Sequence, residues 1–334
     1  MPDRIAASPL FDGDAGTRRR PLQILLAAPR GFCAGVRRAI DAVEDALERF
    51  GPPVYVRRAI VHNLAVVRSL EAKGAIFVQE LDEAPDGAVV ILSAHGVAQS
   101  VTAEARRRGL RYFDAVCPLV AKVHREVARH HSEGRHVILI GHAGHPEIVG
   151  TLGQVPADAV TVVTTTADVA ALPHAQHHPI AYAVQTTYSV DEAADLVAAL
   201  SRRFPGIQAP AGSDICYATT NRQAAVKQMV PQVDAFIVAG EAFSSNACRL
   251  AELASTLGCT SVQRVADASS LDWSLLDDCR SVGITAAAST PESTVTAIFE
   301  ALGERFELRV ETFGQSKETV VFKPLGIKSH AAAG

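Results

Sequence analysis

Short apolar runs alternate with amphipathic segments along most of this chain. One apolar stripe recurs at steps of three and four residues, which is typical of a helix face: Val36, Ile40, Val43, Leu47 and Phe50. The segment Gly51-Pro52-Pro53 ends that helix. Strand-like runs begin near residues 24, 54, 75, 88, 112, 136, 160, 180, 234 and 281. Strands separated by helices predict an α/β fold of βαβ units with mainly parallel sheets.

The pattern repeats on a longer scale, and a cysteine marks each repeat. Cys33, Cys117 and Cys216 each stand where an apolar run gives way to a helical pattern, and they are 84 and 99 residues apart. Six polar residues follow them at related offsets, again after apolar runs: His62, His145 and Ser244, then His95, Thr186 and Ser289. A period this long is typical of small α/β modules rather than of a solenoid.

We therefore predict three α/β modules between two tails. Ligands of open α/β sheets bind beyond the carboxyl ends of the strands, and all nine of these residues fall at such ends in the predicted pattern. The modules are expected to face one common site. The predicted limits are 1–20 for a flexible N-terminal tail, 21–116, 117–212 and 213–323 for the modules, and 324–334 for a C-terminal tail.

Composition narrows the classes of function. The 334 residues are 48% hydrophobic and carry a formal net charge of −4 with both signs dispersed, which argues against a broad nucleic-acid surface. No apolar run approaches the roughly 18 residues that cross a bilayer, so no membrane insertion is expected. Six cysteines are too few for a disulfide framework in so long a chain, and we predict reduced thiols in the cytoplasm.

The three spaced cysteines favour a metal centre assembled in three dimensions. Three thiolates can hold such a centre and leave one position open, which is the feature that separates catalytic metal sites from structural ones. An iron–sulfur cluster suits thiolate ligands best, and zinc fits less well. The competing interpretation is a set of small buried side chains. We prefer that interpretation for the other three cysteines, Cys248, Cys259 and Cys279.

The remaining candidates are hydrogen-bond donors suited to a small phosphate ester: His62, His95, His145, Thr186, Ser244, Ser245, Asn246 and Ser289. Taken singly, each is more typical of a helix N-cap or a satisfied polar group. Glu147 has two interpretations that both stay open. A carboxyl group shielded from water can hold a raised pKa and deliver protons, whereas an acid in the first turn of a helix simply favours the helix dipole.

Long motifs in one order, from about Pro21 to about Lys323, resemble the LytB family of 4-hydroxy-3-methylbut-2-enyl diphosphate reductases. They are PRGFCAGVRRAI (29–40), VHNLAVV (61–67), SAHGV (93–97), FDAVCPLVAKVH (113–124), LIGHAGHPE (139–147), QTTYSVDE (185–192), DICYATTNRQ (214–223) and FSSN (243–246). Because these motifs are long and cover most of the chain, the resemblance is highly specific.

The resemblance implies a trefoil of three α/β domains around one [4Fe–4S] cluster per chain, whose ligands would be Cys33, Cys117 and Cys216. The fourth iron would take the oxygen of the substrate's hydroxyl group. The residues that would bind the diphosphate are His62, His95, His145, Ser244, Ser245, Asn246 and Ser289. Thr186 would lie near the substrate hydroxyl, and Glu147 would belong to the proton-delivery chain.

The activity implied by the resemblance is reductive dehydroxylation of (E)-4-hydroxy-3-methylbut-2-enyl diphosphate to isopentenyl and dimethylallyl diphosphate. This is the last step of the methylerythritol phosphate route to isoprenoids. The implied electron donor is reduced ferredoxin or flavodoxin. Two alternatives stay open: a non-catalytic iron–sulfur redox sensor on the same scaffold, and a cluster-dependent hydro-lyase that acts without net electron transfer.

Three places depart from the family pattern, and all three lie at the edge of the diphosphate site of the third module: Glu241-Ala242-Phe243, Ala247-Cys248 and Ala287. Ala287 replaces a glycine, which can adopt backbone conformations that other residues avoid. We therefore expect any change in substrate affinity or substrate choice to arise in this region.

Overall fold

The computed structural model describes residues 19–173, 179–314 and 318–327. Residues 1–18 of the predicted N-terminal tail and residues 328–334 of the predicted C-terminal tail lie outside this description. None of the helices in the described ranges is both long and apolar enough to span a membrane.

Strands and helices alternate along the described chain. The strands are β1 (Arg20–Ala27), β2 (Val54–Arg57), β3 (Ala75–Val78), β4 (Val89–Leu92), β5 (Arg111–Asp114), β6 (His136–Ile140), β7 (Val160–Val163), β8 (Ile180–Val184), β9 (Ala235–Ala239), β10 (Ser261–Val265), β11 (Ser281–Ala286) and β12 (Phe306–Phe313). The α-helices are α1 (Ala34–Phe50), α2 (Leu64–Ala72), α3 (Gln99–Arg107), α4 (Pro118–Ser132), α5 (Pro146–Leu152), α6 (Thr166–Ala171), α7 (Val190–Arg203), α8 (Tyr217–Met229), α9 (Ser245–Thr256) and α10 (Glu292–Arg305).

These strands form three sheets, and every ladder between them is parallel. The strand orders are β10-β9-β11-β1-β12, β3-β2-β4-β5 and β7-β6-β8. Parallel strands need crossover connections, and the helices between them supply these crossovers and cover the sheets. The predicted α/β class with three parallel-sheet units is confirmed.

Strand β1 lies in a different sheet from the rest of the predicted first module. It pairs with β11 on one side and with β12 on the other, so the N-terminal strand completes the sheet of the third module. Its run of buried side chains, Ile24 to Ala27, suits a central strand that is covered on both faces. The chain then leaves this sheet at the carboxyl end of β1 and enters α1 through Cys33.

Residues 318–327, which we call the C-terminal strap, pack against the first module. Ile327 is fully buried in the core that α1 and β2 share, and Leu325 packs on the same core. The Arg38 guanidinium donates to the Lys323 carbonyl oxygen at 3.0 Å. Residues 324–327 of the predicted C-terminal tail are therefore packed chain, because two apolar side chains reach the core of the first module.

Candidate active site

All twelve predicted site residues line one pocket where the three modules meet. Each cysteine is the N-cap of a helix: Cys33 of α1, Cys117 of α4 and Cys216 of α8. Three further helices begin beside the pocket, with caps at Asn63, His145 and Ser244. About 770 Å³ of space at the pocket, part of it open to solvent, is not filled by protein atoms. The convergence expected from the strand-end rule is therefore observed.

The thiols lie in a dry environment that leaves room between them. Burial raises the pKa of the Cys117 thiol to about 12 and that of Cys216 to about 11, so without a metal both stay protonated at neutral pH. Gly35 lies beside them, and a Cβ atom there would stand 2.7 Å from the Cys117 Sγ and 3.8 Å from the Cys33 Sγ. The space next to two thiols thus depends on the absence of a side chain.

These thiols are of the residue type that binds iron–sulfur clusters. Among the described residues, no three His, Cys, Asp or Glu side chains are grouped closely enough to hold one metal ion together. Cys216 Sγ accepts from the Thr219 backbone N–H at 3.4 Å and contacts Thr219 Oγ1 at 3.2 Å, so polar groups orient it. Three separated thiols around free space match the ligand set of an iron–sulfur cluster.

Three imidazoles cluster at tilted and edge-on angles on the side of the pocket formed by the first two modules. The ring centroids of His62 and His95 are 4.0 Å apart, and those of His62 and His145 are 5.6 Å apart. Burial lowers the pKa of His62 to about 4 and that of His145 to about 3, and it lowers the pKa of His95 well below its usual value. All three rings are therefore neutral at pH 7 in the free protein.

Two of these rings have a nitrogen available for a ligand. His62 Nε2 is buried and has no hydrogen-bond partner within the described structure. His145 Nδ1 accepts from the Glu147 backbone N–H at 3.2 Å, which fixes the tautomer with its proton on Nε2. A buried nitrogen without a partner costs about 1–3 kcal/mol, and a bound anion would recover that cost.

The third module contributes hydroxyl and amide groups. Asn246 Oδ1 accepts from the Ala288 backbone N–H at 3.0 Å, while its Nδ2 is buried and unpartnered within the described structure. Ser289 Oγ donates to the His62 carbonyl oxygen at 3.0 Å. Ser245 Oγ accepts from Thr187 Oγ1 at 3.1 Å, which joins the second and third modules across the pocket.

Glu147 lies inside the pocket wall and not on the outer face of its helix. It is 2% exposed, and its carboxylate accepts from both the backbone N–H and the hydroxyl of Thr186, each at 2.7 Å. Burial raises the pKa of Glu147 to about 7, with a further contribution from Asp214 and against the two Thr186 hydrogen bonds. A group that titrates near neutral pH suits proton transfer.

The pocket also contains residues that the sequence patterns did not single out. Tyr217, Thr219 and Phe322 line it, and the Tyr217 hydroxyl accepts from the Ala34 backbone N–H at 3.1 Å. Thr219 could have been inferred from its place three residues after Cys216. Phe322 belongs to the C-terminal strap, and nothing in its local sequence points to the pocket.

The departures from the family pattern have defined places in the structure. Glu241 is buried, and its carboxylate accepts from the Leu64 backbone N–H at 3.0 Å, beside the start of α2. The Phe243 ring meets His62 edge-on at 5.7 Å. Ala287 is buried with ordinary backbone geometry, since Arg58 is the only non-glycine residue with a positive φ in the described chain. A glycine is therefore not needed at Ala287.

The other cysteines lie away from the pocket. Cys259 and Cys279 are buried in hydrophobic cores, as the structural interpretation predicts. Cys248 is half-buried; its thiol donates to the Ala242 carbonyl oxygen at 3.1 Å, and the Arg264 guanidinium contacts it at 3.1 Å.

Comparison with known proteins gives one consistent result. The profile of the LytB protein family matches residues 24–303. A 4-hydroxy-3-methylbut-2-enyl diphosphate reductase of Hyphomonas neptunium is 53% identical over 307 residues, which cover 92% of this chain and 98% of that protein. One of Beijerinckia indica is 54% identical over 307 residues, or 92% of this chain and 96% of that protein. The structure of the E-1-hydroxy-2-methyl-but-2-enyl-4-diphosphate reductase from Plasmodium falciparum is similar, with a TM-score of 0.87 and 35% identity over 93% of this chain and 98% of that chain.

Proposed function

The chain belongs to the LytB family and is a reductase of the methylerythritol phosphate route, and we propose that the shared pocket carries out its reaction. That reaction converts (E)-4-hydroxy-3-methylbut-2-enyl diphosphate to isopentenyl and dimethylallyl diphosphate. Two electrons and two protons remove the hydroxyl group as water. One observation carries the assignment of the site: three helix-capping cysteines and a set of diphosphate donors line the same pocket.

Cys33, Cys117 and Cys216 would hold one [4Fe–4S] cluster and leave one iron open to substrate. The separated thiols and the space beside Gly35 fit such a group. When bound, the cluster supplies the electrons and a Lewis-acidic iron for the departing oxygen. The protein's part is to bind and orient the substrate, to exclude water and to place a proton.

The diphosphate would bind between the imidazoles and the third module. His62 Nε2 and Asn246 Nδ2 are buried polar atoms that lack partners in the described structure, and His145 presents an N–H from Nε2. The starts of α2, α5 and α9 add favourable helix dipoles for an anion. Neutral imidazoles can donate to the diphosphate, and its negative charge would raise their pKa values.

Glu147 would supply a proton through Thr186. With its pKa near 7, the carboxyl group holds a proton in a useful fraction of molecules at neutral pH. In its protonated form it can donate to Thr186 Oγ1, whose own proton then points toward the substrate hydroxyl. Protonation makes the departing hydroxyl a better leaving group. Burial of both side chains keeps water away from this pair.

Glu241 places a negative charge next to the proposed diphosphate site, so we expect Glu241→Gln to lower the KM for the substrate. Glutamine keeps an acceptor for the Leu64 N–H, while about 1 kcal/mol of repulsion is removed, which corresponds to a KM about 3- to 10-fold lower. Glu300→Gln on the exposed face of α10 makes the same change in charge and serves as the control. Steady-state kinetics with equal KM values for the two variants would contradict this expectation.

The electron donor in this proposal is reduced ferredoxin or flavodoxin. Both carry single electrons, so two encounters serve each turnover. The sensor and the hydro-lyase are less well supported. A sensor has no need of a buried proton donor beside hydrogen-bond donors suited to a phosphate, and the relatives that match this chain are named as reductases and not as hydro-lyases.

Anaerobic turnover of the reconstituted chain, with this substrate and a chemical reductant, tests the proposal. We expect product only when reductant is present, and we expect Cys117→Ser to lose both the cluster and the turnover. Cys248→Ser is the matched control and should keep both. Product without reductant would favour the hydro-lyase, and a loaded cluster without turnover would favour the sensor.

A further inference from the structure

Of the three proposed cluster ligands, Cys33 alone lines both the reaction pocket and a second cavity on the outside, as far as the described chain shows. We call this second cavity the outer groove. It lies between the start of α1 and the C-terminal strap. Tyr217 and Phe322 also line both cavities, so these three side chains form the wall between the reaction pocket and the surface. Electrons that enter here would cross this wall to reach Cys33.

The rim of the outer groove is apolar and unusually exposed. Val321 is 87% exposed and Val320 is 38% exposed. Few other large apolar side chains of the described chain face solvent to this extent. The strap that carries them is firmly held. Glu318 pairs with the fully buried Arg222 at 2.8 Å, and Arg222 also donates to the Gly31 carbonyl oxygen at 2.6 Å. The valines are therefore displayed on an anchored segment.

Positive side chains line the groove or lie next to it in the strap, although the whole chain is acidic. Arg37 and Arg38 line the groove, and Lys323 follows it on the exposed part of the strap. The described carboxylates that line the groove are Glu318, which is neutralised by Arg222, and Asp41. An apolar spot with an excess of cations is complementary to an acidic protein that has a small apolar contact area.

We propose that the outer groove is the docking face for an acidic ferredoxin that delivers electrons past Cys33. This inference rests on the proposed function, since it assumes a cluster at the three cysteines. Each docked ferredoxin is oxidised by one electron and leaves, and two such encounters supply the two electrons of one dehydroxylation. The two protons reach the substrate within the reaction pocket. Electron-transfer partners bury small interfaces, so a few charged and apolar side chains are enough to form such a contact.

The test uses the full-length, anaerobically reconstituted chain and a plant-type [2Fe–2S] ferredoxin. The variant is Arg37→Glu combined with Lys323→Glu, and the matched control is Arg107→Glu combined with Arg202→Glu, two exposed arginines outside the groove. We expect the Kd for ferredoxin to rise about 10- to 100-fold in the groove variant. We also expect a weaker dependence of binding on salt, because fewer charge contacts remain to be screened.

Val321→Ser supplies an independent variant that alters apolar contact without altering charge. Its expected effect is a several-fold rise in Kd. Turnover with a chemical reductant should match that of the parent chain in every groove variant. If the parent chain itself shows no turnover with a chemical reductant, the proposed function is contradicted. The docking proposal is tested separately, by the Kd for ferredoxin.

Three results would overturn the docking proposal. Equal Kd values for ferredoxin in the groove variant and its control would show that ferredoxin does not bind at the groove. If a flavodoxin of matched charge bound more tightly than ferredoxin, and if the groove variant weakened that binding, the groove would be a docking face for flavodoxin and not for ferredoxin. A change in sedimentation without a change in ferredoxin affinity would assign the patch to contacts between copies of this chain.

Discussion

Glu147→Gln is expected to lower turnover by about 100- to 10,000-fold, the usual contribution of a general acid, while the chain still assembles its cluster. Glutamine has nearly the same shape and can still accept the Thr186 backbone N–H, so the pocket wall should persist. It cannot hand over a proton. Anaerobic kinetics with a chemical reductant, together with iron and sulfide content, would separate loss of chemistry from loss of the cluster.

The same substitution is expected to stabilise the fold at alkaline pH. The pKa of Glu147 is raised from 4.5 to about 7 in the folded chain, so the folded state binds this proton more tightly than the unfolded state does. Its contribution to stability is therefore complete below about pH 4.5 and is lost as the pH rises through 7. Above that pH, the ionised Glu147 lowers the free energy of unfolding of the parent chain by up to about 3 kcal/mol, because a buried charge is unfavourable. The uncharged glutamine removes this penalty.

Thermal unfolding at pH 5 and pH 8.5 would measure this effect. The variant should melt above the parent chain only at the higher pH. Glu126→Gln removes another buried carboxylate, one that accepts from the Ala211 backbone N–H and does not line the pocket. It should leave turnover intact. Full turnover in Glu147→Gln would contradict the role of Glu147 as proton donor. It would favour the alternative interpretation, in which this acid only stabilises the first turn of its helix.

The fold class was predictable because buried parallel strands leave a strong local signal. Each of the ten predicted runs overlaps a strand, whereas β10 and β12 were missed. Both lie at the edges of the five-stranded sheet, and β12 alternates charged and apolar residues over largely exposed positions. The pairing of β1 with β11 and β12 joins segments more than 250 residues apart, and no local pattern carries that information.

The location of the candidate site was predictable for a related reason. Carboxyl ends of parallel strands meet at one edge, so residues such as Cys33, Cys117 and Cys216 could be brought together from spacing alone. Contacts between modules were not predictable in this way. The hydrogen bond from Thr187 to Ser245 and the entry of Phe322 into the pocket depend on how the modules and the strap pack. The roles of these residues remain predictions until they are tested.

Gly35→Ala is expected to prevent cluster assembly although it adds only one methyl group. Alanine normally stabilises a helix by about 1 kcal/mol relative to glycine, but here the new Cβ would lie 2.7 Å from the Cys117 Sγ, a distance that requires the thiol to move. Gly303→Ala on α10 is the matched control, because its Cβ would meet only Leu308 Cδ1 at 3.9 Å. We expect Gly35→Ala to bind at least about tenfold less iron and sulfide per chain, with turnover lost in proportion, since displacing one of three ligands undoes a preorganised site.

Circular dichroism should show both variants folded, and Gly303→Ala should keep its full cluster. A full complement of iron and sulfide in Gly35→Ala would mean that the three thiols do not close around the space beside this glycine, and the proposed ligand set would then have to be abandoned.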